Sequence, residues 1–173
     1  MSKFISEISS RDDHLKAMGL ITVNFSLLEN TIAFIIWLLL GLDQQTGQII
    51  TSELSFRRLL ELFSSLCRNK KNDKVTLEKL KTLLKRIEHA EQERNKIIHS
   101  MWTAGNDEET ITRFKITAKI RNGLMHQYEQ LKVEHLNKIA DEIAEVAAAV
   151  HDFWFFNIFQ HQKAPSKIAV RDT

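Results

Sequence analysis

Apolar residues recur at three- and four-residue intervals over most of this chain, and the pattern breaks in few places. The first amphipathic stretch runs from about Arg11 to Leu40 and stops near Gly41, the residue type that best tolerates the left-handed turn closing a helix. A second helix is predicted from Ser52, read as its N-cap, to Arg68, before the polar turn RNKKND. The third spans about Val75 to His99, with Leu77, Leu80, Leu83, Leu84, Ile87, Ile97 and Ile98 apolar. The fourth spans about Val133 to Gln160, with Leu136, Ile139, Ile143, Val146, Ala147, Val150, Phe153 and Trp154. Between the third and fourth the period falls to two: GND at 105–107 is turn chemistry and TITRFKITAKI alternates, which predicts a β-hairpin over about 101–120. Its expected inward residues are Thr112, Phe114, Ile116 and Ala118, leaving Arg113, Lys115 and Lys119 outside as a basic, substrate-facing stripe. The expected architecture is all-α: an up-and-down bundle of four long helices with a small hairpin inserted before the last.

Composition narrows this picture without redirecting it. A chain of 173 residues, 43% hydrophobic, supports one domain with a real core, taken as 1–162, and a flexible tail at 163–173. Lys and Arg number 24 against 22 Asp and Glu, so bulk charge neither calls for nor excludes nucleic acid, and any such partner must be held by a local patch. The single cysteine, Cys67, offers no internal disulfide and reads as a small buried hydrophobe. The most apolar run, 31–42, is bracketed by Glu29, Asn30 and Asp43 and falls short of the roughly 20 residues of a membrane span. With no basic-then-apolar leader, a cytoplasmic protein without a membrane partner is expected.

Other chemistries find little purchase. No Glu-x-x-His occurs for a carboxylate-bridged metal pair, His89 and Glu93 lie off the apolar stripe as a solvated pair, and no metal or cofactor is expected. There is no Gly-x-Ser-x-Gly for a hydrolase nucleophile and no Gly-x-x-x-x-Gly-Lys loop for nucleoside triphosphates.

The conspicuous anomaly is ERNKIIHSMW, residues 93–102. At 100° per residue from Glu91, Leu80, Leu83, Leu84, Ile87 and Ile98 fall within about −80° to +20°, and Glu91 and Arg94 fall inside that arc. Asn95 and His99, four apart, share a face. Polar groups in such a place are kept with partners or for chemistry. The structural reading is an ion pair from Arg94 to Glu91 or to Glu29, which interrupts the first helix. The chemical reading uses an imidazole that titrates near neutrality, a guanidinium able to grip two phosphate oxygens, and an amide to orient either. Trp102, just beyond, either closes the end of the core or stacks on a base.

RNKIIH resembles the signature of the HEPN superfamily (higher eukaryotes and prokaryotes nucleotide-binding domains), an arginine, a polar residue and a histidine after four to six intervening residues. FSLLENTIAFIIWLLLG is similar to the helix that opens many such proteins. The likeness covers most of residues 15–160 as architecture, but only six residues carry the motif. It implies a metal-independent endoribonuclease acting as a toxin or in phage defence, with Arg94, Asn95 and His99 catalytic, while Glu29, Glu91 and Trp102 are expected as supporting residues from their places beside that motif. It further implies a homodimer whose cleft unites two histidines, an RNA substrate, and a neutralising antitoxin protein. The same family includes non-catalytic helical dimers that act as adaptors or nucleotide- or RNA-binding modules, and that alternative stays open. A second copy of the pattern, RNGLMH with Arg121, Asn122 and His126, contains Gly123 and is expected in a loop, so the first copy is preferred.

Overall fold

The computed structural model describes residues 11–119 and 123–160, without the side chains of 116–119 and 123–126. Helix α1 (Asp12–Leu40) opens with Asp12 and Asp13 in its first turn, where unsatisfied N–H groups favour negative charge. It ends where Gly41 adopts φ 69°, with Leu42 N donating to Trp37 O at 2.9 Å and Gly41 N to Leu38 O at 3.3 Å. That closure satisfies the last carbonyls and needs a residue without a Cβ at its left-handed position.

A short helix, α2 (Gln44–Ser52), follows, and its N-terminus is capped by Asp43, which accepts from Thr46 N. Helix α3 (Phe56–Lys70) begins after Ser55, whose side chain accepts from Arg58 N. The helix expected from Ser52 therefore starts later, with Ser55 as its cap, and Ser52 instead ends α2, a helix the sequence reading did not include. Ser55 is the serine whose extended backbone lets its hydroxyl reach the first free N–H groups. Helix α4 (Lys74–Ile98) follows, with Asp73 Oδ1 accepting from Thr76 N at 2.9 Å.

Strands β1 (Met101–Ala104), β2 (Thr110–Lys119) and β3 (Gly123–Lys132) then form an antiparallel sheet in the order β1-β2-β3. The expected hairpin is thus part of a three-stranded sheet, and 123–132, expected as loop, is its third strand. Helix α5 (Val133–Phe153) passes into a π-helical stretch, Trp154–Phe159, where a continuing α-helix was expected. The protein is mostly helical with one small sheet. The expected tail, 163–173, lies outside the described residues.

The chain divides into two compact units, each with its own core. The first contains the start of α1, as far as Leu28, together with Arg86–Ala147. Its core joins Ile21, Phe25 and Leu28 to Ile87 and Ile97, to Ile111 and Leu131 of the sheet, and to Leu136, Ile139 and Ile143 of α5. Asn24 ties α1 to α5 by donating from Nδ2 to Ala140 O at 2.8 Å.

The second unit contains Glu29–Lys85 and the chain from Ala148 onward. Ile32, Ile35, Ile36, Phe63, Cys67, Leu80, Val150 and Ile158 are buried in it. Burial pushes the Cys67 thiol up to about 12, which leaves it a core residue and no nucleophile. The segment FWFFNIF at 153–159 is apolar nearly all round, a pattern that fits packing in the core or against a second subunit. Phe153 and Ile158 are buried in this unit, and Phe156 is 56% exposed.

Helix α1 is the one helix among the described residues long and apolar enough, by length and composition, to cross a membrane. The apolar run at 31–42 supplies the C-terminal part of this 29-residue helix. Buried core helices meet the same criterion.

Candidate functional site

On α4 the buried apolar positions are Leu80, Leu83, Ile87, Ala90 and Ile97. This is a three-four alternation, and against 3.6 residues per turn such a spacing drifts by about 20° per heptad. The drift turns Ile98 outward to 37% exposure and brings Ile97 in. It also leaves Arg94 close to the middle of the inward stripe. Asn95 and His99 project roughly 110° and 150° away from that middle. Arg94 and Asn95 are half-buried, and His99 is exposed.

Arg94 reaches across to α1, where its guanidinium carbon sits 5.2 Å from the centre of the Phe25 ring. Phe25 is buried but Arg94 is only half-buried, so the cation lies partly desolvated against the aromatic face, a contact of about 0.5–1 kcal/mol. Nη1 donates to Asn95 Oδ1 at 2.9 Å, which bends the guanidinium toward the side of the helix that carries His99. Arg94 Nε is buried with no hydrogen-bond partner. Such an orphaned donor costs about 1–3 kcal/mol, and a group left in that state calls for an explanation.

The end of α4 is held by the sheet. Trp102 Nε1 donates to Ile97 O at 3.0 Å, and Arg113 Nη1 to Lys96 O at 3.3 Å. These side chains occupy carbonyls that a helix C-terminus leaves open, and the arginine adds a charge of the favoured sign. His99 stays tied to the same turn through its backbone N–H, which donates to Asn95 O at 3.2 Å. Trp102 thus holds the end of α4 through its indole N–H.

Arg113 corrects the sequence reading of the strand. It is 9% exposed, inside rather than outside, and its Nη2 meets Glu129 Oε2 at 2.6 Å. Ile111 and Leu131 are cross-strand partners, 2% and 5% exposed, and they set which face of the sheet turns inward. With a period of two, Arg113 and its partner Glu129 must share that face. Lys115, of the same parity, is half-buried. The side chain of Lys119 is not among those described. Phe114, expected inward, instead faces Tyr128 on the other side of the sheet, with ring centres 6.1 Å apart.

Among the supporting residues, Glu91 is half-buried one turn before Arg94. Glu29 belongs to the second unit, where it lines a cavity of about 260 Å³ with Asn30, Trp37 and Thr51. His89 is exposed, and Glu93 pairs with Lys96. No group of three or more His, Cys, Asp or Glu residues suited to hold a metal occurs among the described residues. Of the second motif copy, Arg121 and Asn122 lie outside the described residues, and His126 falls in β3.

The first unit also holds an open cleft of about 460 Å³, lined by Arg11, Asp12, Asp13, His14, Glu108, Glu109, Val133 and Glu134. Five carboxylates on its walls make it a poor place for a phosphate chain. Sequence reasoning missed Phe25, which nothing local distinguishes from other apolar positions of α1, and the Arg113–Glu129 pair, whose signal is opposite charge at matched strand positions. Compared with protein-family models, curated proteins and solved structures, the chain matches none.

Proposed function

We propose that this protein is a metal-independent endoribonuclease of HEPN type, with Arg94, Asn95 and His99 as its catalytic residues and the long helices as an up-and-down bundle. One observation carries the reading. A guanidinium with an orphaned Nε is hydrogen-bonded to the amide beside it, one turn from an exposed histidine. In the proposed reaction the 2′-hydroxyl of RNA loses its proton to a base and attacks the adjacent phosphorus. The P–O5′ bond breaks, and the 5′-oxygen takes a proton from an acid. The products are a 2′,3′-cyclic phosphate and a 5′-hydroxyl, and no metal, oxidant or cofactor enters the balance. His99 serves as base or acid, and Arg94 offsets the charge that gathers on the phosphoryl oxygens.

One chain supplies one motif histidine, so the second proton-transfer group comes from a second copy across a twofold axis. The exposed apolar residues Leu20, Val23 and Leu27 of α1 lie roughly 160–220° around the helix from Phe25. An axis through them would carry the two Arg94 groups apart. The composite cleft therefore requires the axis near the end of α4, where Ile98 and His99 are exposed. A toxin or defence role and a neutralising antitoxin accompany this reading as proposals of the family resemblance.

The test is cleavage of single-stranded RNA in excess EDTA, with analysis of the product ends. Wild type is expected to cut, and Arg94→Ala and His99→Ala to lose at least about 100-fold, as expected for removal of a proton-transfer or charge-stabilising group. Equal rates for all three would refute the assignment and favour a non-catalytic adaptor.

A further inference from the structure

Two residues beyond His99 the chain enters β1 at Met101, a reach of at most about 7 Å. Met101 pairs with Phe114, and Phe114 pairs with Tyr128, so the three side chains form one row across all three strands. The row lies on the face away from Ile111, Leu131 and Arg113. Met101 is 58% and Tyr128 70% exposed, and the Tyr128 ring is backed by Phe114 at an interplanar angle of 22°. The neighbouring row is Thr103, Thr112 and Gln130, which offers donors and acceptors but no charge. Among the described side chains, no strand residue on this face is a carboxylate, because Glu129 points to the other side with Arg113.

We infer that this row is a stacking platform for an unpaired base of single-stranded RNA, placed beside the His99 site. The inference rests on the reading of that site as a ribonuclease. Every nucleobase presents a π-face, so an exposed aromatic ring backed by a second one binds bases without demanding sequence, while hydroxyls and an amide in the next row meet their edges. The rows of Tyr128 and of Thr112 carry no acidic group, and two rows from Tyr128 Glu109 is paired with Lys132 while Asp107 accepts from Thr110. A base held here sets the strand so that its neighbouring phosphate lies toward the end of α4. A duplex, whose bases are already stacked, cannot use the platform.

The experiment measures binding of a fluorescent single-stranded 2′-O-methyl RNA of about 10 nucleotides, which lacks the attacking hydroxyl, to wild type, Tyr128→Ala and Tyr128→Phe. Tyr128→Ala should weaken binding by about 5- to 150-fold, whereas Tyr128→Phe keeps wild-type affinity because stacking does not use the hydroxyl. Matching thermal melts show that the variants fold. Equal affinity for wild type and Tyr128→Ala overturns the inference, as does a duplex of the same sequence binding as tightly as the single strand. So does light scattering in which Tyr128→Ala splits a dimer, since the row would then be a seam between copies. Cleavage of unmodified RNA is scored separately. Cleavage without Tyr128-dependent binding removes the platform and leaves the His99 site, and Tyr128-dependent binding without cleavage does the reverse.

Discussion

Replacing Arg113 by alanine separates a structural arginine from a substrate-binding one. Its guanidinium spans from Glu129 on β3 to the Lys96 carbonyl at the end of α4. The Glu129 side chain is 48% exposed, so the ion pair is discounted to about 1 kcal/mol. The hydrogen bond to the Lys96 carbonyl contributes about 1 kcal/mol more. Three methylenes of the stem, in a residue only 9% exposed, are worth about 2 kcal/mol by area. Relief of the orphaned Arg113 Nε returns about 1 kcal/mol. The net expected loss is about 3 kcal/mol, or about 6–12 °C in Tm for a chain of this size. Arg113→Met keeps most of the stem and should lose about 1 kcal/mol. Thermal and urea denaturation followed by far-ultraviolet circular dichroism reads both variants. Stability of Arg113→Ala within 0.5 kcal/mol of wild type, roughly the range of ordinary surface substitutions, together with weakened RNA binding, would show that the residue faces substrate and would refute the strand parity argued from Ile111 and Leu131.

Two further outcomes follow from local geometry. A Cβ at Gly47 would stand 2.6 Å from Trp37 Cδ1, so Gly47→Ala should displace the indole, break its 3.1 Å hydrogen bond to Thr51 Oγ1 and cost about 1–3 kcal/mol by thermal denaturation. Asp43 and Asp73 cap α2 and α4, and the backbone N–H donors of Thr46 and Thr76 hold their carboxyls below the ordinary value of 3.8. A carboxyl depressed by folding stabilises the fold above its unfolded pKa and loses that contribution as pH falls through the folded value. An acid titration of stability should therefore steepen below about pH 4 in wild type and lose part of that slope in Asp43→Asn and Asp73→Asn.

Much of the helical framework is legible because long segments with strong periodicity carry their own punctuation. The limits of α1 follow from its apolar stripe and Gly41, and α4 and the start of α5 lie within a residue of expectation. Ser52 and Ser55 are equally good caps on paper, and which one serves depends on where Asp43 starts the preceding helix. The parity of β2 was illegible for a different reason. TITRFKIT has apolar residues on both faces, Ile111 on one and Phe114 on the other, so alternation alone does not choose between them. The choice is made by Leu131 across the strand and by Glu129, which removes the penalty of turning Arg113 inward. At the candidate site the motif and its intrusion on the stripe were legible, while the pairing of Arg94 with Asn95 and its place on Phe25 depend on α1, distant in sequence.

Arg94 is where the catalytic and structural readings predict opposite results from one substitution. If the residue is a fixed member of a buried ion pair, removing its charge strands a carboxylate and costs about 3–5 kcal/mol. The geometry gives a different balance for Arg94→Met. The hydrogen bond to Asn95 joins adjacent, half-buried residues and is worth about 1 kcal/mol, and the Phe25 contact about 0.5–1 kcal/mol. Against these stands the orphaned Nε, whose removal returns about 1–3 kcal/mol, while a flexible thioether still covers the Phe25 ring. Stability should therefore stay within about 1 kcal/mol of wild type while RNA cleavage disappears, the pattern of a residue kept for chemistry at no gain to the fold. A fall in Tm of 10 °C or more, about what a loss of 3–5 kcal/mol produces in a chain this long, would instead make Arg94 part of the scaffold and His99 an exposed histidine at a helix end.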